Sequence, residues 1–222
     1  MDTLESGFAG DIELGLNFVQ NINNVLQTRN SSHFQWVKRD HSIMSVNALN
    51  LTVFNDEKVL NDGVQYLRYG YAFNNTFDAE VFGQAQYNTI IKIQGRYLLG
   101  LGIRWHLLEF EEDSVKLHFS SHYMREYEEE TTDRINRHHR LNNIVSFGWP
   151  INNQVDLNFI GYYQPDLSRF KDYRISTEFA VNIKISKRLS FKYSMAWFYD
   201  RYPPEDINRI FYNIQNSLLF EI

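Results

Sequence analysis

Between Tyr173 and Ile185 every second residue is apolar or threonine, in the series Tyr173, Ile175, Thr177, Phe179, Val181, Ile183 and Ile185. Arg174, Ser176, Glu178, Ala180, Asn182 and Lys184 fill the gaps. After Ser186, Lys187 and Arg188 the alternation resumes with Leu189, Phe191, Tyr193, Met195, Trp197 and Tyr199 against Ser190, Lys192, Ser194, Ala196, Phe198 and Asp200. Successive residues of a strand point to opposite faces, so this stretch predicts a long hairpin with one apolar and one polar face. The same period of two runs through Phe8 to Phe18, Phe77 to Tyr87, Tyr97 to Leu107, Val115 to Tyr123, Leu141 to Trp149, Val155 to Tyr163 and Ile210 to Ile222. Residues 32 to 39, 42 to 54 and 63 to 73 read as strands with poorer alternation. Together these predict about twelve strands.

The connections carry a second regularity. Links after even-numbered strands are expected to be short, around Asp40, around Asn74 and Asn75, from Pro150 to Asn153 and from Ser186 to Arg188, with a slightly longer one near Glu109 to Asp113. Links after odd-numbered strands are expected to be long: Asn21 to Ser31, Asn55 to Asp62, Asn88 to Gly95, Arg125 to His139, Gln164 to Asp172 and Asp200 to Arg209. Short turns at one end and long polar loops at the other are the profile of an outer-membrane barrel, with both termini at the periplasmic end. The apolar stripes carry Tyr87, Tyr97, Tyr123, Tyr163, Tyr173, Trp197, Tyr199 and Tyr212 at the long-loop end, and Phe73, Phe77, Trp105, Trp149 and Phe220 at the other. Two aromatic belts around an aliphatic band are what a barrel needs at two membrane interfaces. The expected fold is therefore all-β: one closed, antiparallel, up-and-down transmembrane barrel spanning residues 1 to 222. The competing arrangement is a soluble sandwich or lipocalin-like barrel with the apolar stripe turned inward. It would leave a water face rich in Gly, Ala, Ser, Asn and Gln, a composition better suited to a narrow wet lumen.

Composition removes other classes. With 43% hydrophobic residues in 222, no run reaches the eighteen or so apolar residues of a membrane-spanning helix. A net charge of -5 with mixed signs argues against nucleic acid as a partner. The absence of cysteine removes disulfides and thiol chemistry. The start, MDTLESG, has no secretory-signal pattern, so either the protein is cytosolic or, as an outer-membrane destination requires, the sequence begins at the mature chain.

The segments LGLGIRWHLLE (99 to 109), YLRYGYAF (66 to 73), EVFGQAQYN (80 to 88), YYQPDL (162 to 167), DYRISTE (172 to 178) and YDRYPP (199 to 204) together resemble the salt-induced outer-membrane protein family, catalogued as a domain of unknown function. The resemblance covers nearly the whole chain. It implies a Gram-negative outer-membrane barrel in contact with lipid and lipopolysaccharide and handled by the barrel-insertion machinery, and it supplies no catalytic residue. Such barrels usually finish on an aromatic residue, whereas this chain ends Phe220, Glu221, Ile222.

Candidate chemistry lies on the polar stripe. His106, His118 and His122 share lumen-facing parity. Arg104 and Lys116 close by would repel a metal, so these histidines read as a pH-sensitive or simply solvated wall, with no cofactor expected. Folding the chain about Ile91 and Lys92 sets Glu80 opposite Arg104 and Asp78 opposite His106. Folding it near Glu111 sets Arg104 opposite His118 and His106 opposite Lys116. The expectation is a lumenal charge ladder of Asp78, Glu80, Arg104, His106, Lys116 and His118, serving as bracing or as an electrostatic filter. The run REYEEETTDRINRHHR (125 to 140) reads as a solvated outer loop, since it lacks the spacing of a Ca²⁺ loop. Pro165, Pro203 and Pro204 would stiffen the last two outer loops. A lipid hydrolase would need Ser121, which has lipid-facing parity, to meet a histidine, but His118 and His122 point the other way. Passage through a small porin-like channel is the expected function. The alternative is an envelope scaffold acting through its outer loops, and an enzyme is not expected.

Overall fold

The computed structural model describes residues 6–20, 24–55, 57–109 and 115–221. All regular elements within them are strands: β1 (Gly7–Gln20), β2 (Asn24–Lys38), β3 (His41–Phe54), β4 (Glu57–Ala72), β5 (Phe77–Asn88), β6 (Ile93–Glu109), β7 (Lys116–Glu130), β8 (Ile135–Asn152), β9 (Val155–Pro165), β10 (Tyr173–Lys184), β11 (Leu189–Asp200) and β12 (Ile210–Glu221). Each pairs antiparallel with its sequence neighbours, and β1 pairs with β12 through Asp11↔Glu221 to Leu14↔Leu218, which closes a twelve-stranded barrel. The seam is short, four register pairs long, and it joins the first strand to the last, which closes the sheet on itself as a sheet in hydrocarbon requires.

Apolar side chains stand outward. Leu99, Leu101, Ile103 and Trp105 on β6 are 65, 62, 53 and 45% exposed, while Leu98 and Arg104, which alternate with them, are buried inside. The inversion of the usual inside-out order is the signature of a barrel whose solvent is lipid. Of the expected belt residues, Tyr97, Trp105, Tyr123, Trp149, Tyr163 and Tyr212 are exposed, and Tyr87, Tyr173, Trp197 and Tyr199 are half-buried. Tyr173, Trp197 and Tyr199 are half-buried because rings cover rings: Tyr163, Tyr173, Tyr199 and Trp197 form a chain of contacts with centroids 5.8, 5.5 and 6.4 Å apart across β9 to β11.

Strand boundaries differ from the expected ones at the end away from the termini. There the described connections contract to turns around Asn55, at 89–92 and at 131–134, and only 166–172 and 201–209 remain extended. The expected loops after the first and third strands, and the link near Glu109 to Asp113, fall partly outside the described residues, as does Ile222. The run 125 to 140 is not a loop: it is the continuation of β7 and β8 as a hairpin. A strand needs only about ten residues to cross a bilayer. β6, β7 and β8 have 17, 15 and 18 and so project beyond it. Beyond Tyr123 the outward positions become Arg125, Tyr127 and Glu129 on β7 and Arg137 and His139 on β8, which places the lipid boundary at the tyrosine belt. Short side chains build the turns: the Asn74, Asn88 and Asn152 amide oxygens each accept a backbone N–H two residues on, at 2.8, 3.0 and 2.8 Å.

Candidate functional site in the barrel lumen

Three layers of side chains fill one half of the lumen. Nearest the termini, Glu80 on β5 accepts hydrogen bonds from Arg104 Nε at 2.8 Å and from His122 Nε2 at 2.9 Å, with Arg68 Nη1 3.2 Å away. Its carboxylate is almost fully removed from water, and three donors from β4, β6 and β7 replace the lost hydration. His106 Nε2 lies 2.9 Å from Asp78 Oδ2 and packs edge-on against His118, their centroids 4.7 Å apart, while Arg104 Nη1 is 3.4 Å from His118 Nδ1. Lys116 is buried on the same wall, nearer the short turns.

The backbone register differs from the expected one by two residues. Asp78 stands opposite Arg104, Glu80 opposite Gly102, Arg104 opposite Ser120 and His106 opposite His118. The turn at 89–92 is centred earlier than the expected loop, and β6 and β7 pair about a point later than Glu111. Diagonal neighbours across a sheet remain within reach of long side chains, which is how Arg104 meets Glu80 and His106 meets Asp78 despite the slip.

Phe82, Leu98 and Met124 form an apolar layer above this cluster, with Tyr66 packed against it. Glycines make room for it. A Cβ at Gly100 would fall 2.4 Å from the Phe82 ring, and one at Gly102 would fall 2.1 Å from the Ser121 carbonyl oxygen. The two glycines of LGLGIRW are thus the positions where the Phe82 ring and the His122 backbone approach the β6 backbone most closely.

Above the apolar layer lies a second ionic cluster that the sequence did not disclose. Glu126 on β7 accepts from Arg96 Nε and Arg140 Nε, each at 2.8 Å, and from Arg174 Nη1. Arg174 also donates from Nη2 to Glu128 at 3.0 Å and from Nε to Asp200 at 2.6 Å, and Arg140 Nη2 reaches Asp172 at 3.1 Å. Glu126 and Glu128 belong to the run 125 to 140, for which the expectation is a solvated outer loop. The period of two does continue unbroken through His122, Met124, Glu126, Glu128 and Glu130, and that parity was the available signal.

In the other half of the lumen a cavity of about 230 Å³ runs along β1 to β3 and β10 to β12, lined among others by Glu13, Arg29, Asn50, Glu178, Lys192 and Gln215. Lys192 Nζ is 3.3 Å from Glu13 Oε2, and Glu178, although turned inward, is exposed to this space. Among the described residues no group of histidines and acids is arranged to hold a metal ion. Ser121 lies outside the lumen and donates to Asn143 Oδ1 at 2.9 Å, away from His118 and His122.

This architecture is that of outer-membrane β-barrels of porin-like fold. A family of proteins of unknown function, DUF481, matches residues 33–220, and the chain belongs to it. Among solved structures, the NanC porin is 7% identical, with 96% of this chain and 97% of that one covered and a TM-score of 0.52. The KdgM porin in complex with disordered oligogalacturonate is 10% identical, with 96% and 98% covered and a TM-score of 0.51. The likeness is one of fold. No curated protein matches the sequence.

Proposed function

We propose that the protein is a small porin-like channel of the outer membrane that passes hydrophilic solutes through the open half of its lumen. The observation that carries this reading is the asymmetry of the filling. The ion-paired and apolar side chains are stacked on the wall from β4 to β10, while the cavity beside β1 to β3 keeps water-facing charges and amides. A structural plug would fill the cross-section evenly; a braced wall leaves a lane. Charged groups lining such a lane set which ions enter it. The similar fold of two porins supports the reading. In this setting the aromatic belts meet the two interfaces, the outer one against lipopolysaccharide, and the insertion machinery delivers the chain. A scaffold would act through the projecting β7–β8 hairpin and the 166–172 and 201–209 connections, and is the alternative. The outward Ser121 without a histidine weighs against hydrolysis.

The test is conductance of the purified barrel in a planar lipid bilayer. Discrete ohmic steps are expected, and they should shrink when Ala48→Trp fills the open lane, since Ala48 lines it. A silent barrel that is correctly folded by heat-modifiability on a gel would overturn the proposal.

A further inference from the structure

The largely apolar outer face of the barrel carries a polar island on β2 to β4. Ser32, Asn47 and Gln65 stand in a row on three adjacent strands, as register partners Ser32↔Asn47 and Asn47↔Gln65, and Ser45 lies beside them. Their parity is outward, because the residues that alternate with them turn inward: His33 bonds lumenal Asp11, Met44 is buried against Arg68, and Tyr66 packs on Phe82. The island lies within the lipid band, not at its rim. On β3 it is bracketed by Ile43 on one side and by Leu49, Leu51 and Val53 on the other, and on β4 Leu67 and Tyr69 lie between it and the short turns.

Hydrocarbon offers such groups no hydrogen bonds, and a polar group left unsatisfied there is costly. The island satisfies itself poorly. Asn47 Nδ2 reaches Ser32 Oγ and Ser45 Oγ only at 3.4 Å each, and Gln65 is exposed. The contrast is with the outward pair on β7 and β8, where Ser121 donates to Asn143 and Asn143 donates to the Tyr163 carbonyl oxygen. That pair passes its last donor to a backbone carbonyl at 3.3 Å, whereas the bonds of the β2 to β4 island run only between its own side chains at 3.4 Å.

We infer that this face is a contact surface between two copies of the chain in the membrane. The argument for a second copy is chemical self-complementarity. A carboxamide carries both donors and an acceptor, so a neutral patch of two amides and two hydroxyls can satisfy itself when a two-fold axis brings it against its own image. Lipid chains lack the partners, and the patch has no charge to select an oppositely charged protein. Interhelical and inter-barrel contacts in lipid rely on such polar groups and close packing because apolar burial brings no gain there. The lumen plays no part in this contact, so it stands whether or not the barrel conducts.

The chain has no cysteine, which makes site-directed disulfide trapping clean. The full chain carrying Gln65→Cys, reconstituted in phospholipid vesicles at high lipid-to-protein ratio and oxidised, is expected to give covalent dimer as its main product. Leu67→Cys, on the same face, serves if Gln65→Cys does not fold, and should give dimer too. Leu101→Cys on β6 and Phe179→Cys on β10, both outward and away from the island, should stay at least tenfold less cross-linked. Adding Asn47→Leu to Gln65→Cys should lower the dimer yield several-fold while the barrel remains folded. Equal trapping at all four sites, or none at Gln65 and Leu67, overturns the inference.

Discussion

Arg174 on β10 and Glu126 on β7 are joined side chain to side chain across the lumen, although two strands separate them in the barrel wall. The bond is a chord, not a rung. It ties the projecting parts of β7 and β8 to β10 and, through Asp200, to β11. Glu126 is wholly buried, so removing a partner strands a charge out of water. Arg174→Gln should destabilise the barrel by about 3 kcal/mol, the range for breaking a buried ion pair. Adding Glu126→Gln should restore part of that loss, because the carboxylate no longer needs compensation. Urea unfolding from lipid vesicles checks both, and equal losses in the single and double variants would show that the chord carries no charge coupling.

Arg104 and Arg29 separate bracing from filtering. Arg104 is buried among Glu80 and His118, away from the open cavity, whereas Arg29 lines it. Arg104→Leu leaves Glu80 with Arg68 and His122 and should cost about 2 kcal/mol of stability, the scale of a buried group one donor short. Its reversal potential in a salt gradient should stay unchanged. Arg29→Gln should do the opposite, shifting selectivity toward cations with little change in stability, since a positive charge leaves the wall of the lane. A selectivity shift in Arg104→Leu would make the ladder a filter.

The two faces of β10 give a test of what surrounds the barrel. Val181 pairs with Leu157 and Tyr193 on the outer face, while Asn182 pairs with Asp156 and Lys192 on the inner one. Val181→Arg should cost about 2 to 4 kcal/mol in folding into lipid, as for a cation near the bilayer midplane. Asn182→Ala should be far milder, because the lumen is polar and its amide oxygen has no partner among the described residues. Equal costs would contradict the assignment of faces.

The barrel was legible because lipid and lumen impose opposite chemistry on alternate residues. From Tyr97 to Trp105 the contrast is between Leu or Ile and Gly or Arg, and a period of two stands out. Beyond Tyr123 that contrast disappears: Arg125 and Glu129 face out, Glu126 and Glu128 face in, and both faces are polar. The strand persists because the backbone ladder does not depend on which side chains it carries, but a signal built on apolar against polar cannot see it. The lower cluster was partly legible for a different reason. Glu80 with Arg104, and Asp78 with His106, tolerate a two-residue error in register because long side chains bridge diagonals. Arg68 and His122 were missed as partners of Glu80, since one lies on the strand before it and the other two strands beyond. The polar island of Ser32, Asn47 and Gln65 left its trace as the poor alternation of residues 32 to 39, 42 to 54 and 63 to 73.

Asp166, just past β9, makes the mouth sensitive to strong acid. Burial alone would raise its carboxyl, but the Ser168 hydroxyl, His138 and the backbone N–H groups of Ser168 and Arg169 all bond it, and the net effect holds it at about 2 against an ordinary 3.8. A carboxylate depressed in the folded state contributes stability that is fully present above its ordinary value and is lost as pH falls through the folded value. The 166–172 connection should therefore stay protected at pH 4 and loosen towards pH 2. Amide hydrogen exchange at Ser168 and Arg169 reads this directly. In Asp166→Asn the same amides should exchange faster at neutral pH and show no further change in that window; an unchanged acid response would place the sensitive group elsewhere.

Lys92 links opposite sides of the mouth. It lies in the turn between β5 and β6, and its Nζ donates to the Glu205 carbonyl oxygen at 2.9 Å and lies 3.2 Å from Asp206 Oδ2, both in the 201–209 connection between β11 and β12. Those turns belong to opposite walls of a twelve-stranded barrel, so their meeting narrows the entrance to the lane beneath. Asp206 is 82% exposed, and an ion pair so open to water is weak and easily screened. At about 1 M salt the screening length falls to roughly 3 Å, which is no longer than the pair itself. Conductance divided by bulk conductivity should then rise between about 0.1 M and 1 M salt as the strap releases. Lys92→Ala should start at the higher value and show no such rise. A wild-type ratio that is flat across this range, or a variant that keeps the rise, would mean that the 201–209 connection does not gate the entrance.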